Sequence, residues 1–197
     1  DYLEQAQPDG PPLPVLVTEL LAGIPLSERL RSGPMPPPEA VAVCAQLADA
    51  LQAAHELGIV HRDVKPANVL LAPGQRVVLA DLGLVLSELD GPTKRAQGTP
   101  NYMSPESILG TIAPGATHLV DVYALGVLAF WLVVGHLPFE GKTSIDVARL
   151  HVEAPVPEVA GASPKLAALV TEMLAKDPLA RPQQLEGVSF RLRALRA

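Results

Sequence analysis

One cysteine, Cys44, stands among 197 residues. That excludes an internal disulfide and a cysteine-built zinc centre, and it makes a reducing, cytoplasmic compartment the expected setting. Positive charge is short: 15 Lys and Arg face 21 Asp and Glu, a net charge of −6. Such a balance argues against nucleic acid as the main partner. No long hydrophobic run is present. The most apolar stretch, VYALGVLAFWLVV at 122–134, would make about 20 Å of helix against a hydrocarbon core of roughly 30 Å. It is expected to be a buried core helix, with any membrane anchor lying outside this stretch. The opening residues, DYLEQAQPDG, are acidic and polar rather than a secretory leader. They lack an initiator Met, as expected of a processed or partial product. Two further absences are local. No G-x-G-x-x-G occurs anywhere, and no lysine precedes Lys65.

What is there reads as a packed globule, because 48% of the residues are hydrophobic. The 21 prolines cluster at 8–14, 34–38 and 155–164, as connections between helices do. LPVLVTELL (13–21) predicts a buried strand. AGIPLSERL predicts a short helix with Ser27 as its N-cap. From Glu39 to Leu57, Val41, Cys44, Leu47, Ala48, Leu51 and His55 share one helical face, with Gly58 as the stop. ANVLL and RVVLA, separated by APGQ, predict a hairpin. Helices are expected at 119–134 (Gly135 as stop), 144–153, 164–175 and 183–195, with Ser163–Pro164 as a cap and first turn. No internal repeat interrupts this pattern. The fold class is α+β, mostly helical, with a strand at the start and a small hairpin in the middle.

The chemistry concentrates in HRDVKPAN (61–68). A carboxylate, Asp63, can orient a hydroxyl nucleophile and accept its proton. The ammonium of Lys65 can neutralise a phosphoryl group in flight. The amide oxygen of Asn68 can take a divalent cation. A surface loop of solvated charges is the competing reading of this segment alone. Thirteen residues after Asn68 comes Asp81, in ADLGLV after the strand RVVL. A second carboxylate across a hairpin from Asn68 makes a plausible pair of oxygen ligands for Mg²⁺.

GTPNYMSPE (98–106), VDVYALGV (120–127) and DPLARP (177–182) follow in order. With these five motifs the chain resembles a eukaryotic-type Ser/Thr protein kinase of the style found in bacteria. The resemblance covers the chain as a large C-lobe (26–197), a hinge (19–25) and a remnant of the last N-lobe strands (1–18). It places a catalytic loop at 61–68 and an activation segment at 81–106. It implies Asp63 as the catalytic carboxylate, Lys65 as the contact to the transferring phosphate, and Asn68 and Asp81 as Mg²⁺ ligands. Thr99 would hydrogen-bond the Asp63–Lys65 pair. Glu19 and Leu21 would offer backbone groups to the adenine of ATP, with Thr18 as gatekeeper and Leu70 under the ring. Asp121 would tie down the catalytic-loop backbone. Glu106 and Arg181 would pair, and His61 and Leu82 would sit in an apolar stack linking the lobes. Arg62 would hold a phosphorylated activation loop, with Thr93 as the phosphosite and Lys94 and Arg95 nearby. His55, His118, His136 and His151 lack metal-ligand spacing and read as ordinary.

The resemblance also marks a departure. A kinase fixes ATP with a Gly-rich loop and a strand lysine, and neither occurs upstream of Lys65. DLG and SPE replace the commoner DFG and APE while keeping their Asp, Gly and Glu. The expected function is ATP-dependent phosphorylation of Ser and Thr hydroxyls of proteins, with this chain as the catalytic C-lobe of a larger enzyme and inactive on its own. The missing N-lobe would act in cis. Alternatives are a non-catalytic kinase-like interaction module and, with less support, a small-molecule phosphotransferase.

Overall fold

The computed structural model describes residues 2–7, 10–16, 19–81 and 100–195. Strand β1 (Tyr2–Gln7) pairs antiparallel with β2 (Gly10–Leu16). The expected strand over 13–21 therefore starts earlier and ends earlier. Prolines 11, 12 and 14 are tolerated in β2 because a two-stranded ribbon consists of edges. Residues 19–23 are irregular, and the chain re-forms a strand only at β3 (Ile24–Pro25).

Helix α1 (Leu26–Arg29) follows and tightens into a 3₁₀ turn over Leu30–Ser32. Pro25, not Ser27, occupies its N-cap. Proline's fixed φ prepares the turn without a side-chain cap, so Ser27 falls inside the helix. Helix α2 (Pro37–Glu56) opens on prolines and buries Val41, Cys44, Leu47, Ala48 and Leu51. Gly58 ends it in the left-handed region, φ +74°, and donates its N–H to the His55 carbonyl at 2.9 Å. The hairpin forms as expected from β4 (Val69–Ala72) and β5 (Arg76–Leu79), which join β3 in the order β3-β4-β5. Gly23 passes so close to β4 that a Cβ there would lie 2.5 Å from the Leu71 carbonyl oxygen. Gln46 of α2 clamps the hairpin by accepting from Val77 N–H (3.0 Å) and donating to Gln75 O (2.9 Å).

The rest is helical: α3 (Pro105–Leu109), α4 (Leu119–Val134), α5 (Ser144–Glu153), α6 (Pro164–Met173) and α7 (Leu185–Ala194). Helix α4 is apolar on all sides because it is the centre of the core, contacting α2 and α6. Ser163 caps α6 by accepting from Leu166 N–H at 3.3 Å. Helix α7 begins two residues later than its sequence pattern suggests. Gln52 of α2 accepts the N–H groups of Leu185 (2.9 Å) and Glu186 (3.2 Å), so a distant side chain sets that boundary.

Candidate active site

The stretch 59–65 leaves α2 without regular structure, and a single buried side chain holds its backbone in place. Asp121, in the first turn of α4, is fully buried. Its Oδ2 accepts from His61 N–H and from His55 Nε2, and its Oδ1 from Arg62 N–H, each at 2.8 Å. Arg62 consequently sits at φ +63°, a left-handed conformation that costs a non-glycine residue energy. His61 is fully buried, with Nε2 3.2 Å from the Ala80 carbonyl and Nδ1 accepting from Asp63 N–H at 3.3 Å.

On this anchored backbone three polar side chains converge. Lys65 Nζ lies 2.5 Å from Asp63 Oδ2. Asn68 Nδ2 donates to the same Oδ2 at 3.0 Å and to the Asp63 carbonyl at 2.8 Å. The Asp63 side chain is only 11% exposed, so these charge-assisted bonds fix its orientation. Pro66–Asn68 forms a 3₁₀ turn leading into β4. Ala80 N–H then donates to Asn68 O at 2.7 Å, extending the β4–β5 ladder by one rung. Asp81 therefore emerges one residue beyond the position facing Asn68. It is exposed and takes φ +64°.

The pair Glu106–Arg181 links α3 to the turn before α7 and to the start of α4. The two groups meet in a buried fork at 2.7 and 2.8 Å. The remaining Arg181 donors reach the carbonyls of Ala175 (2.8 Å), Leu119 (3.0 Å) and Lys176 (3.3 Å). Burial pushes the Glu106 carboxyl up, but the hydrogen bonds and charge of Arg181 outweigh it and hold the group below its ordinary value.

A sequence profile of the protein kinase domain matches residues 11–189. The chain belongs to the protein kinase family. The relatives of this kinase chain include two mycobacterial proteins. Serine/threonine-protein kinase PknL of Mycobacterium tuberculosis is 40% identical over 177 residues, 85% of this chain and 43% of PknL. Serine/threonine-protein kinase PknB of the same species is 36% identical over 189 residues, 91% of this chain and 30% of PknB. The kinase chain thus spans less than half the length of each of these relatives. They place it among bacterial-style Ser/Thr kinases, and the mostly helical body with a small three-stranded sheet fits a kinase C-lobe.

Within this kinase fold, Asp63, Lys65 and Asn68 come together, and Asp81 follows the strand that pairs beside them. Leu70 lies on β4 opposite Pro25 and Val78. Glu19 and Leu21 lie in the irregular stretch before β3, where Glu19 is 3.8 Å from Arg76. Thr18, Leu82, Thr93, Lys94, Arg95 and Thr99 lie outside the described residues. Two histidines read as ordinary hold unexpected places. His55 bonds the carboxylate that anchors the backbone at 61–62, and His151 is fully buried against Tyr123. Their partners stand 66 and 28 residues away, beyond any local pattern. The one available signal for His151 was its i+4 spacing from Val147 on the inward stripe of α5.

The donor set beside Asp63 suits Mg²⁺. An amide oxygen and one carboxylate are hard oxygen ligands, and Mg²⁺ completes its shell with waters and phosphate oxygens rather than an all-protein cage. Both Asn68 amide hydrogen bonds run through Nδ2, and Oδ1 has no hydrogen-bond partner among the described residues. No helix among the described residues is long and apolar enough to cross a membrane.

Proposed function

We propose that this chain is the catalytic and acceptor-binding lobe of an ATP-dependent kinase that phosphorylates Ser and Thr hydroxyls of proteins. One observation carries the reading: the Asp63 carboxylate is gripped by Lys65 and Asn68 on a backbone pinned by Asp121. Asp63 Oδ1 has no hydrogen-bond partner among the described residues. It is the atom that orients the acceptor hydroxyl and takes its proton. Lys65 brings positive charge to where the transferring phosphoryl group carries negative charge. Asn68 serves twice, steering Asp63 through its NH₂ and offering Oδ1 to Mg²⁺, with Asp81 as the second ligand. Mg²⁺ and ATP, when bound there, supply the phosphoryl group and the charge that balances it. Glu19 and Leu21 present main-chain groups to the adenine, and Leu70 packs beneath it. Thr99 joins the Asp63–Lys65 pair from the activation segment.

Fixing the ATP phosphates needs a Gly-rich loop and a strand lysine, groups this sequence does not contain before Lys65. They belong to a small lobe in cis, and this stretch alone transfers no phosphate. Residues 98–106 dock the protein acceptor. Arg62 has a buried Nε without a hydrogen-bond partner among the described residues. That supports a second role, in which it receives phosphothreonine at Thr93, helped by Lys94 and Arg95.

The test is phosphotransfer from Mg²⁺·ATP to a protein acceptor by the longer protein that carries this chain. Asp63→Asn should lower the rate by about 10²–10⁴, and chelating the metal should abolish transfer. Unchanged turnover in Asp63→Asn, or transfer to aminoglycosides but not to proteins, would overturn the assignment. In the same assay Thr93→Ala should lower activity, and full activity there would remove Thr93 from the regulatory scheme.

A further inference from the structure

We propose that His151 is a positioning residue for the protein acceptor, latching the main chain at 100–102 to the core helix α4 through Tyr123. The inference rests on the reading that 98–106 docks the acceptor, and it deepens that reading.

Helix α5 contributes only two buried side chains, Val147 and His151, so an imidazole supplies half of its grip on the body. The ring is fully buried and lies edge-on to Phe139, with 4.8 Å between centroids. Its Nδ1 is 2.8 Å from the Tyr123 hydroxyl. With the phenol donating and Nδ1 accepting, the remaining proton sits on Nε2. That Nε2 is buried without a hydrogen-bond partner of good geometry among the described residues. Helix α5, which carries this ring, packs against residues 100–102. An apolar side chain would fill the same space without an unspent donor, which costs energy in a dry interior. The polar ring therefore ties α5, and with it the stretch immediately before α3 that packs on this helix, to Tyr123 of α4.

Two further contacts give the latch its stiffness. Lys176 Nζ donates to the carbonyls of His151 (2.6 Å) and Leu150 (3.4 Å) at the last turn of α5, where a cation is favoured. It also sits 4.0 Å from the Phe139 ring centroid. The Arg181 guanidinium stacks on the Tyr123 ring at 4.8 Å while holding Glu106. The Tyr123 ring thus joins two grips on one segment, through His151 and α5 at 100–102 and through Arg181 at Glu106. The adenine-facing residues Glu19 and Leu21 lie outside this cluster. Loosening the latch should weaken acceptor binding and spare ATP binding.

Tyr123→Phe removes one hydroxyl and keeps the stacked ring. His151→Leu removes both nitrogens at similar volume. Hydrogen exchange on the full chain reads the latch without requiring activity. Amides of 100–109 should exchange about tenfold faster in both variants, as loss of one buried hydrogen bond allows, while those of α2 and α7 keep their rates. Unchanged exchange over 100–109, or equal acceleration everywhere, overturns the latch. In the longer kinase, KM for a peptide acceptor should rise roughly tenfold with KM for ATP within about twofold. Equal rises in both constants overturn the positioning role. A wild-type protein that phosphorylates no protein acceptor removes the functional proposal, and the exchange rates still decide whether His151 holds 100–109.

Discussion

At Arg62 the backbone enters the left-handed region, and it stays there because the Asp121 carboxylate accepts the N–H groups of both Arg62 and His61. A conformation that would cost of order 1–3 kcal/mol by itself is held by buried, charge-assisted hydrogen bonds of at least comparable strength. The same low-dielectric surroundings act on His151. Burial first, and the charge of Lys176 second, depress its pKa from 6.5 to about 4. Between those values the unfolded chain binds a proton that the folded chain refuses. Stability is therefore greatest above pH 6.5 and falls as the pH drops towards 4, by up to about 3 kcal/mol. Glu106 has a lowered pKa, so its contribution disappears in the same direction but only below the ordinary carboxylate range. Urea denaturation of wild type and His151→Leu at intervals from pH 7 to 4.5 separates the two. The variant should lose most of the slope within that window, and an unaltered slope would remove His151 as its source.

Among the elements, α4 determines what the others can do. Its residues Leu125, Leu128 and Leu132 are fully buried, and α6 approaches it across Gly126. A Cβ at that glycine would lie 2.8 Å from Met173 Cβ and 3.2 Å from Leu174 Cγ. Helix propensity alone favours alanine over glycine by up to about 1 kcal/mol. The contact reverses that preference, because neither helix can retreat without opening the core. Gly126→Ala is expected to destabilise the fold by roughly 1–3 kcal/mol, measured as a lower urea midpoint with the slope unchanged. A gain in stability would mean that α6 is free to shift. Helix α5 is the contrasting case. Its capping box of Thr143 and Asp146 is complete, yet only two side chains anchor it, so its position depends on His151 and Lys176 rather than on broad apolar packing.

For the molecule as a whole, the bond between Glu106 and Arg181 spans 75 residues and ties α3 to the turn before α7. Arg181 spends its five N–H donors on Glu106 and three carbonyls. Its removal strands a buried carboxylate and frees those carbonyls. Arg181→Met should cost about 3–5 kcal/mol, and adding Glu106→Gln should recover part of that loss because no charge is then left unpaired. Equilibrium unfolding of the single and double variants measures the coupling directly. Additive losses would show that the two side chains stabilise the fold separately.

Much of this protein is legible in its sequence, for reasons that are local. The spans 119–134 and 144–153, the Gly58 and Gly135 stops, the Ser163 cap and the hairpin around Pro73–Gly74 follow from periodicity and turn chemistry, which act over a few residues. HRDVKPAN likewise carries Asp63, Lys65 and Asn68 within one loop, so their proximity needs little tertiary help. Other features depend on groups far apart in the chain. The strand expected at 13–21 stops at Leu16. Ser27 yields the N-cap of α1 to Pro25, and α7 starts where Gln52 meets it. His55 and His151 look ordinary until Asp121 and Tyr123 are brought to them. Residue type and spacing encode which groups can do chemistry. Only packing decides which buried nitrogen meets which oxygen, because that choice depends on where water has been excluded.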